Sequence, residues 1–216
     1  MRLIRALKKL KAFQGLTEQE LAWVLYDVGN SAYTMLACSL IPIWFKSIAV
    51  GHAPGQISSD NATAYYSLAV SIVTVAVALL GPVLGALADH KGKKRMYFTS
   101  AAALGMIFCV LTGFAWSWLL FLILFVVTKI CYSASLTIYD SMLGDITTED
   151  RMDEVSSNGF AWGYLGSCIP FLIALIAYVL GPDMVGLIPA LLSRGIGVFV
   201  TAAWWLMVTV PLLLDY

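Results

Sequence analysis

The chain has 216 residues, 60% of them hydrophobic and only 12% charged, with a mean hydropathy of +0.84. A soluble domain carries about a quarter charged residues. Too little polar surface is present here to coat a globule in water, and a soluble enzyme is excluded. The 13 basic and 13 acidic residues cancel, which leaves no cationic surface to hold phosphates and excludes a nucleic-acid binder.

In chain order, residues 1–20 open with a basic stretch, Arg2, Arg5, Lys8, Lys9 and Lys11. They are expected to form an amphipathic segment on an anionic leaflet. A cleavable signal is not expected, because the apolar run behind it is too long and lacks a small-residue cleavage site. A spanning helix needs about 20 mostly apolar residues. Six such segments occur, at 21–48, 63–88, 96–114, 118–140, 156–180 and 190–214, so residues 21–216 read as an all-α six-helix membrane bundle. The breaks carry the turn residues and charges: Gly51 to Asp60, Asp89 to Arg95, Gly113 to Ser117, Asp145 to Glu154, and Gly181-Pro182-Asp183. Lys and Arg collect before span one, after span two and, as Arg151, after span four, whereas the three opposite loops have none. The positive-inside rule therefore predicts that both termini are cytoplasmic. Asn61-Ala62-Thr63 matches a glycosylation acceptor but lies almost against span two and is read as a chance match.

The four cysteines, Cys38, Cys109, Cys131 and Cys168, sit singly in apolar runs, and His52 and His90 fall in different breaks. Neither set has metal-ligand or disulfide spacing, and no metal or cofactor is expected. No nucleotide-binding loop is recognisable in the sequence, which argues against ATP-driven pumping.

Polar groups are costly in lipid, so their alignment is informative. At 100° per residue, Asp27, Asn30, Ser31, Thr34 and Cys38 form one stripe of span one, and Lys129, Tyr132, Ser133 and Asp140 form another on span four. Span two stacks Ser67, Ser71, Thr74, Ala78, Gly81, Gly85 and Asp89, and span five stacks Gly159, Gly163, Gly166 and Pro170. These last two are small-residue rows suited to close helix packing. Lys129 falls near mid-span, where a cation costs about 2.5–3.5 kcal/mol on insertion scales. With both interfaces roughly 15 Å away at 1.5 Å per residue, snorkelling cannot relieve it. A water-filled cavity, a solute or a buried acid must. Asp27 and Asp140 lie nearer the cytoplasmic ends, where gating, helix capping and solute contact are all open.

Gly85-Ala-Leu-Ala-Asp89-His90-Lys91-Gly92-Lys93-Lys94-Arg95 resembles the signature between spans two and three of the major facilitator superfamily. That signature has a glycine, an aspartate four residues on, a basic residue, a second glycine and two further basic residues. His90 departs from it, standing where the family has Arg or Lys. Trp23 to Tyr33, Tyr139 to Ile146, Val155 to Gly166, and Arg194 with Trp204-Trp205 and Pro211 are similar to the unknown major facilitator group, whose eukaryotic relatives include the autophagy-related vacuolar amino-acid effluxer. The resemblance implies a twelve-span secondary transporter of two six-helix halves, each made of two inverted three-helix repeats, of which this chain looks like the amino-terminal half. It implies alternating access, with spans one and four lining the path.

Lys129, Tyr132, Asn30 and Tyr33 are then expected to meet solute or a coupling proton. Gly85, Asp89, Gly92, Lys93, Lys94, Arg95, Asp27 and Asp140 are expected at the cytoplasmic gate, and Gly159, Gly163 and Gly166 in helix packing. A midplane lysine suits an amino acid or another small carboxylate-bearing solute; amino acids come first, and efflux as their direction, partly because the resemblance to the eukaryotic relatives implies them. The expected partners are membrane lipids, the solute, and a carboxyl-terminal half or a second copy of the chain. The expected location is a bacterial inner membrane, or a vacuolar membrane in a eukaryote. A non-transporting scaffold or lipid-binding bundle is the alternative. An intramembrane aspartyl protease is disfavoured, because a shared proton needs carboxylates from two helices, whereas Asp140 and Asp145 lie five residues apart at one helix end and Gly144-Asp145 lacks the preceding glycine.

Overall fold

The computed structural model describes residues 2–8, 10, 13–88 and 92–216. Seven helices occur among them: α1 (Arg2–Leu7), α2 (Glu18–Ala49), α3 (Ser59–Ala88), α4 (Lys94–Gly113), α5 (Trp118–Ile146), α6 (Met152–Val179) and α7 (Ala190–Asp215). A 3-10 turn, Glu149–Arg151, precedes α6. Helices α2 to α7 are the six spans, each long and apolar enough to cross a membrane. Asp89 and His90 lie outside the described residues.

The helices run past several of the ends marked from hydropathy. α2 starts at Glu18 because Thr17 caps it: its hydroxyl accepts from Glu20 N at 3.1 Å, and Glu20 Oε2 accepts from Thr17 N at 2.7 Å. This reciprocal pair is a capping box. α5 ends at Ile146 rather than at 140, because Leu143 and Ile146 pack against the core and keep its last turns helical. Asp140 and Asp145 are therefore helical residues, and the following break shrinks to the turn before α6. Asn61 lies in the first turn of α3. Ile4, Phe13 and Leu16 are buried in the core cluster, and Phe13 packs on Trp162 at 4.7 Å. The amino-terminal segment is thus attached to the bundle through its apolar residues.

α2 packs along α6 and α7, α5 packs along α3 and α4, and α4 meets α7. Exchanging α2–α4 with α5–α7 reproduces that pattern. Each triplet has an odd number of spans, so the two run in opposite senses, as inverted repeats do. The exchange is imperfect at one place. α6 and α7 share a broad interface, whereas α3 touches α4 only lightly. The core between the triplets is aromatic, with Trp44, Trp205, Tyr26, Tyr33, Tyr139, Phe98 and Phe121 fully enclosed. α3 and α6 meanwhile expose Leu68, Ile72, Leu79, Leu165 and Leu172. Such large apolar faces belong in lipid or against protein, not in water.

Candidate functional site: a polar seam and its cavity

α2 and α5 run antiparallel, and their contact is a ladder of polar and aromatic pairs. Trp23 and Tyr139 stack at 4.3 Å and bond reciprocally: Trp23 Nε1 donates to Tyr139 O at 3.2 Å, and Tyr139 Oη donates to Trp23 O at 3.1 Å. One turn on, Tyr26 Oη shares a hydrogen bond with Ser135 Oγ at 2.8 Å. Beyond it, Tyr132 Oη pairs with Thr34 Oγ1 at 2.7 Å and lies 3.5 Å from Asn30 Oδ1. In hydrocarbon an unmet polar group is expensive, so these pairs fix the register of the two helices. Tyr26 and Ser135 were not singled out from sequence. Their signal was the helical spacing of Tyr132, Ser135 and Tyr139 on α5 and of Tyr26 and Tyr33 on α2, beside the charged stripes.

Beside the seam lies a cavity of about 480 Å³ between α2, α5 and α6. Its lining includes Asp27, Asn30, Tyr132 and Asp140 together with Trp23, Ser31, Thr34, Tyr139, Phe160 and Tyr164. Asn30 is 2% exposed and donates from Nδ2 to Asp27 Oδ1 at 3.2 Å. The structure thus brings together two residues read as solute contacts and two read as gate residues.

The glycine face of α6 holds α2 in place. A Cβ at Gly159 would come within 2.9 Å of the Trp23 ring, and one at Gly163 within 2.9 Å of Ser31 Oγ and 3.1 Å of Asp27 Oδ2. At Gly166 it would run into Val28. Close approach of α6 therefore sets the position of the Asp27 carboxylate.

Tyr33 and Lys129 sit elsewhere. Tyr33 is 1% exposed and packs between Tyr132 at 5.1 Å and Trp205 at 5.9 Å, off the cavity. It lies 60° from Asn30 around α2, which turns it toward α7. Lys129 is half-buried on the cavity face of α5 but one turn beyond Tyr132, and helical side chains lean toward the N-terminus. Its ammonium therefore sits over the Tyr132 ring at 5.0 Å and the Tyr33 ring at 5.6 Å. Among the described residues it has no ion pair.

Apart from Asp27 and Asp140, which line the cavity, the described gate candidates lie toward the end that carries both termini. Gly92 has φ +78°, a left-handed turn that a side chain would strain. Lys93 and Arg95 are exposed, and Gly85 faces open space. Lys94 Nζ bonds Asp145 Oδ2 at 2.6 Å and Ser141 O at 3.2 Å, and Tyr216 Oη donates to the same Asp145 oxygen at 2.5 Å. A second network was missed from sequence. Glu20, 2% exposed, accepts from Thr147 Oγ1 at 2.6 Å and from Arg151 Nε and Nη2 at 3.0 and 2.9 Å, while Arg151 also reaches Gly15 O at 2.8 Å. Thr17 followed by Glu20, a capping-box spacing, was the available signal.

Residues 28–214 match the family model described as Major Facilitator Superfamily. The chain is also 36% identical, over 200 residues, to the uncharacterized MFS-type transporter YxiO of Bacillus subtilis (strain 168). That match covers 91% of this chain and 46% of the relative, so the chain spans about half the length of the curated relative it matches. No solved structure matches. With the family match running from α2 into α7, over the same six spans that form the inverted repeats, the chain is an integral membrane protein and belongs to the Major Facilitator Superfamily.

Proposed function

We propose that this chain forms one side of the translocation path of a secondary transporter that moves a small solute by alternating access. The observation that carries the reading is the cavity on the α2–α5 seam, where Asp27, Asn30, Tyr132 and Asp140 line one space. Membrane-embedded ionisable groups are retained where they serve a path. The end bearing both termini is the cytoplasmic one, by its Lys and Arg excess, and the membrane is the inner membrane of a bacterium. Gly85 to Arg95, with Asp89 at its centre, acts there as the gate. A carboxyl-terminal half, or a second copy, supplies the facing wall.

Lys129, without an acidic partner among the described residues, is the group expected to answer a carboxylate. Amino acids are the first solutes to try, and efflux the first direction. The resemblance of Trp23 to Tyr33 and of Val155 to Gly166 to the unknown major facilitator group supports that choice.

The test is flux into proteoliposomes holding the chain together with a carboxyl-terminal half of its relative, compared with the chain alone. Lys129→Ala should insert normally and lose most of the flux. Unchanged flux sinks the role of Lys129, and no flux under either condition favours a scaffold.

A further inference from the structure

The cavity holds more than polarity. Its lining contains two carboxylates, Asp27 and Asp140, and no Lys, Arg or His. Among the described residues neither carboxylate has an ion pair. Asp27 receives one hydrogen bond, from Asn30, which is a neutral donor. The walls beside them are aromatic: Trp23 and Tyr139 from the seam, Phe160 and Tyr164 from α6. Two like charges lining one space repel each other, and Asp27 lies close against the glycine face of α6. A cation resolves this arrangement. The exposed rings of Phe160 and Tyr164 add attraction for an ammonium group, and the volume falls in the range of small-molecule sites.

We infer that this cavity is a subsite for the ammonium group of a small amine with an apolar body. The inference rests on the transporter reading and names what this side of its path grips. It also separates two roles. Lys129 lies eleven residues from Asp140 on α5, about 16 Å at 1.5 Å per residue. An α-amino acid carries its amino and carboxylate groups on a single carbon and cannot reach both. Among amino acids, those with an amino group remote from the carboxylate therefore fit the two groups better, and a simple amine probes the cavity alone.

The experiment uses the full chain in nanodiscs with tritiated phenethylamine, and tritiated 3-phenylpropionate as the matched acid, read by scintillation proximity. Saturable binding of phenethylamine alone is expected, reduced at least tenfold in Asp27→Asn and in Asp140→Asn. Asp140 is exposed to the cavity, so its variant keeps the fold, and a monodisperse elution with unchanged helical circular dichroism verifies this for both. Binding of phenylpropionate instead, lost in Lys129→Ala, overturns the ammonium assignment and keeps the transport reading. Binding of neither probe by a chain whose flux is intact also overturns the assignment alone. Absence of both binding and flux overturns the two together.

Discussion

The end of the bundle that carries both termini and the middle of the α2–α5 seam treat charge in opposite ways. At the end, Glu20 meets Arg151 and Asp145 meets Lys94, with threonine, tyrosine and backbone groups filling the remaining lone pairs. In the middle, Asp27, Asp140 and Lys129 have no ionic partner among the described residues. The first arrangement needs nothing from outside the chain and joins helix ends that are far apart in sequence. The second is incomplete as it stands. The difference separates charges that are paired within the fold from charges that the described residues leave unpaired.

That separation can be broken first where it is strongest. Arg151→Ala leaves Glu20 buried without its cation, and removing one member of a buried pair costs far more than removing both. It should give the largest fall in the thermal midpoint of the detergent-purified chain, and adding Glu20→Gln should restore part of it. No recovery in the double variant would show that Arg151 acts through Gly15 alone.

A smaller loss is expected where the seam meets the glycine face. Gly166→Ala gains up to about 1 kcal/mol of helix propensity but forces a methyl group into Val28, an overpacking cost of about 1–3 kcal/mol. The net effect should be destabilising in unfolding by sodium dodecyl sulfate, and a stabilised variant would mean that α6 moves aside freely. The smallest effect is expected at Lys94, whose partner Asp145 is 50% exposed. Lys94→Ala should cost about 0.5 kcal/mol, and that loss should shrink further in high salt.

Much of the architecture was legible in the sequence because lipid imposes it. Runs of apolar residues mark six spans, and Asp27, Asn30 and Asp140 sit on stripes that the cavity uses. The helix ends were less legible. Hydropathy stops at the first charge, whereas capping and local packing carried α2 back to Glu18 and α5 on to Ile146. Glu20 was invisible for the same reason: as an acid before an apolar run it looked solvated, and only the fold brings Thr147 and Arg151 to it. Tyr33 lies off the cavity, since one side of a helix wheel can face either a cavity or the neighbouring helix 60° away. Lys129 lies a turn beyond the cavity lining on α5, because periodicity gives direction but not height along a helix.

The two rows of small residues will not drift alike over evolution. Gly81 and Gly85 of α3 have nothing within 4 Å of an added Cβ, whereas Gly159, Gly163 and Gly166 each meet a side chain of α2. Packing within the described residues therefore leaves Gly81 and Gly85 free to take a side chain one position at a time. A change in the α6 row must be matched by a change at Trp23, Asp27, Val28 or Ser31, so the chemistry of the cavity is inherited together with the fit of two helices.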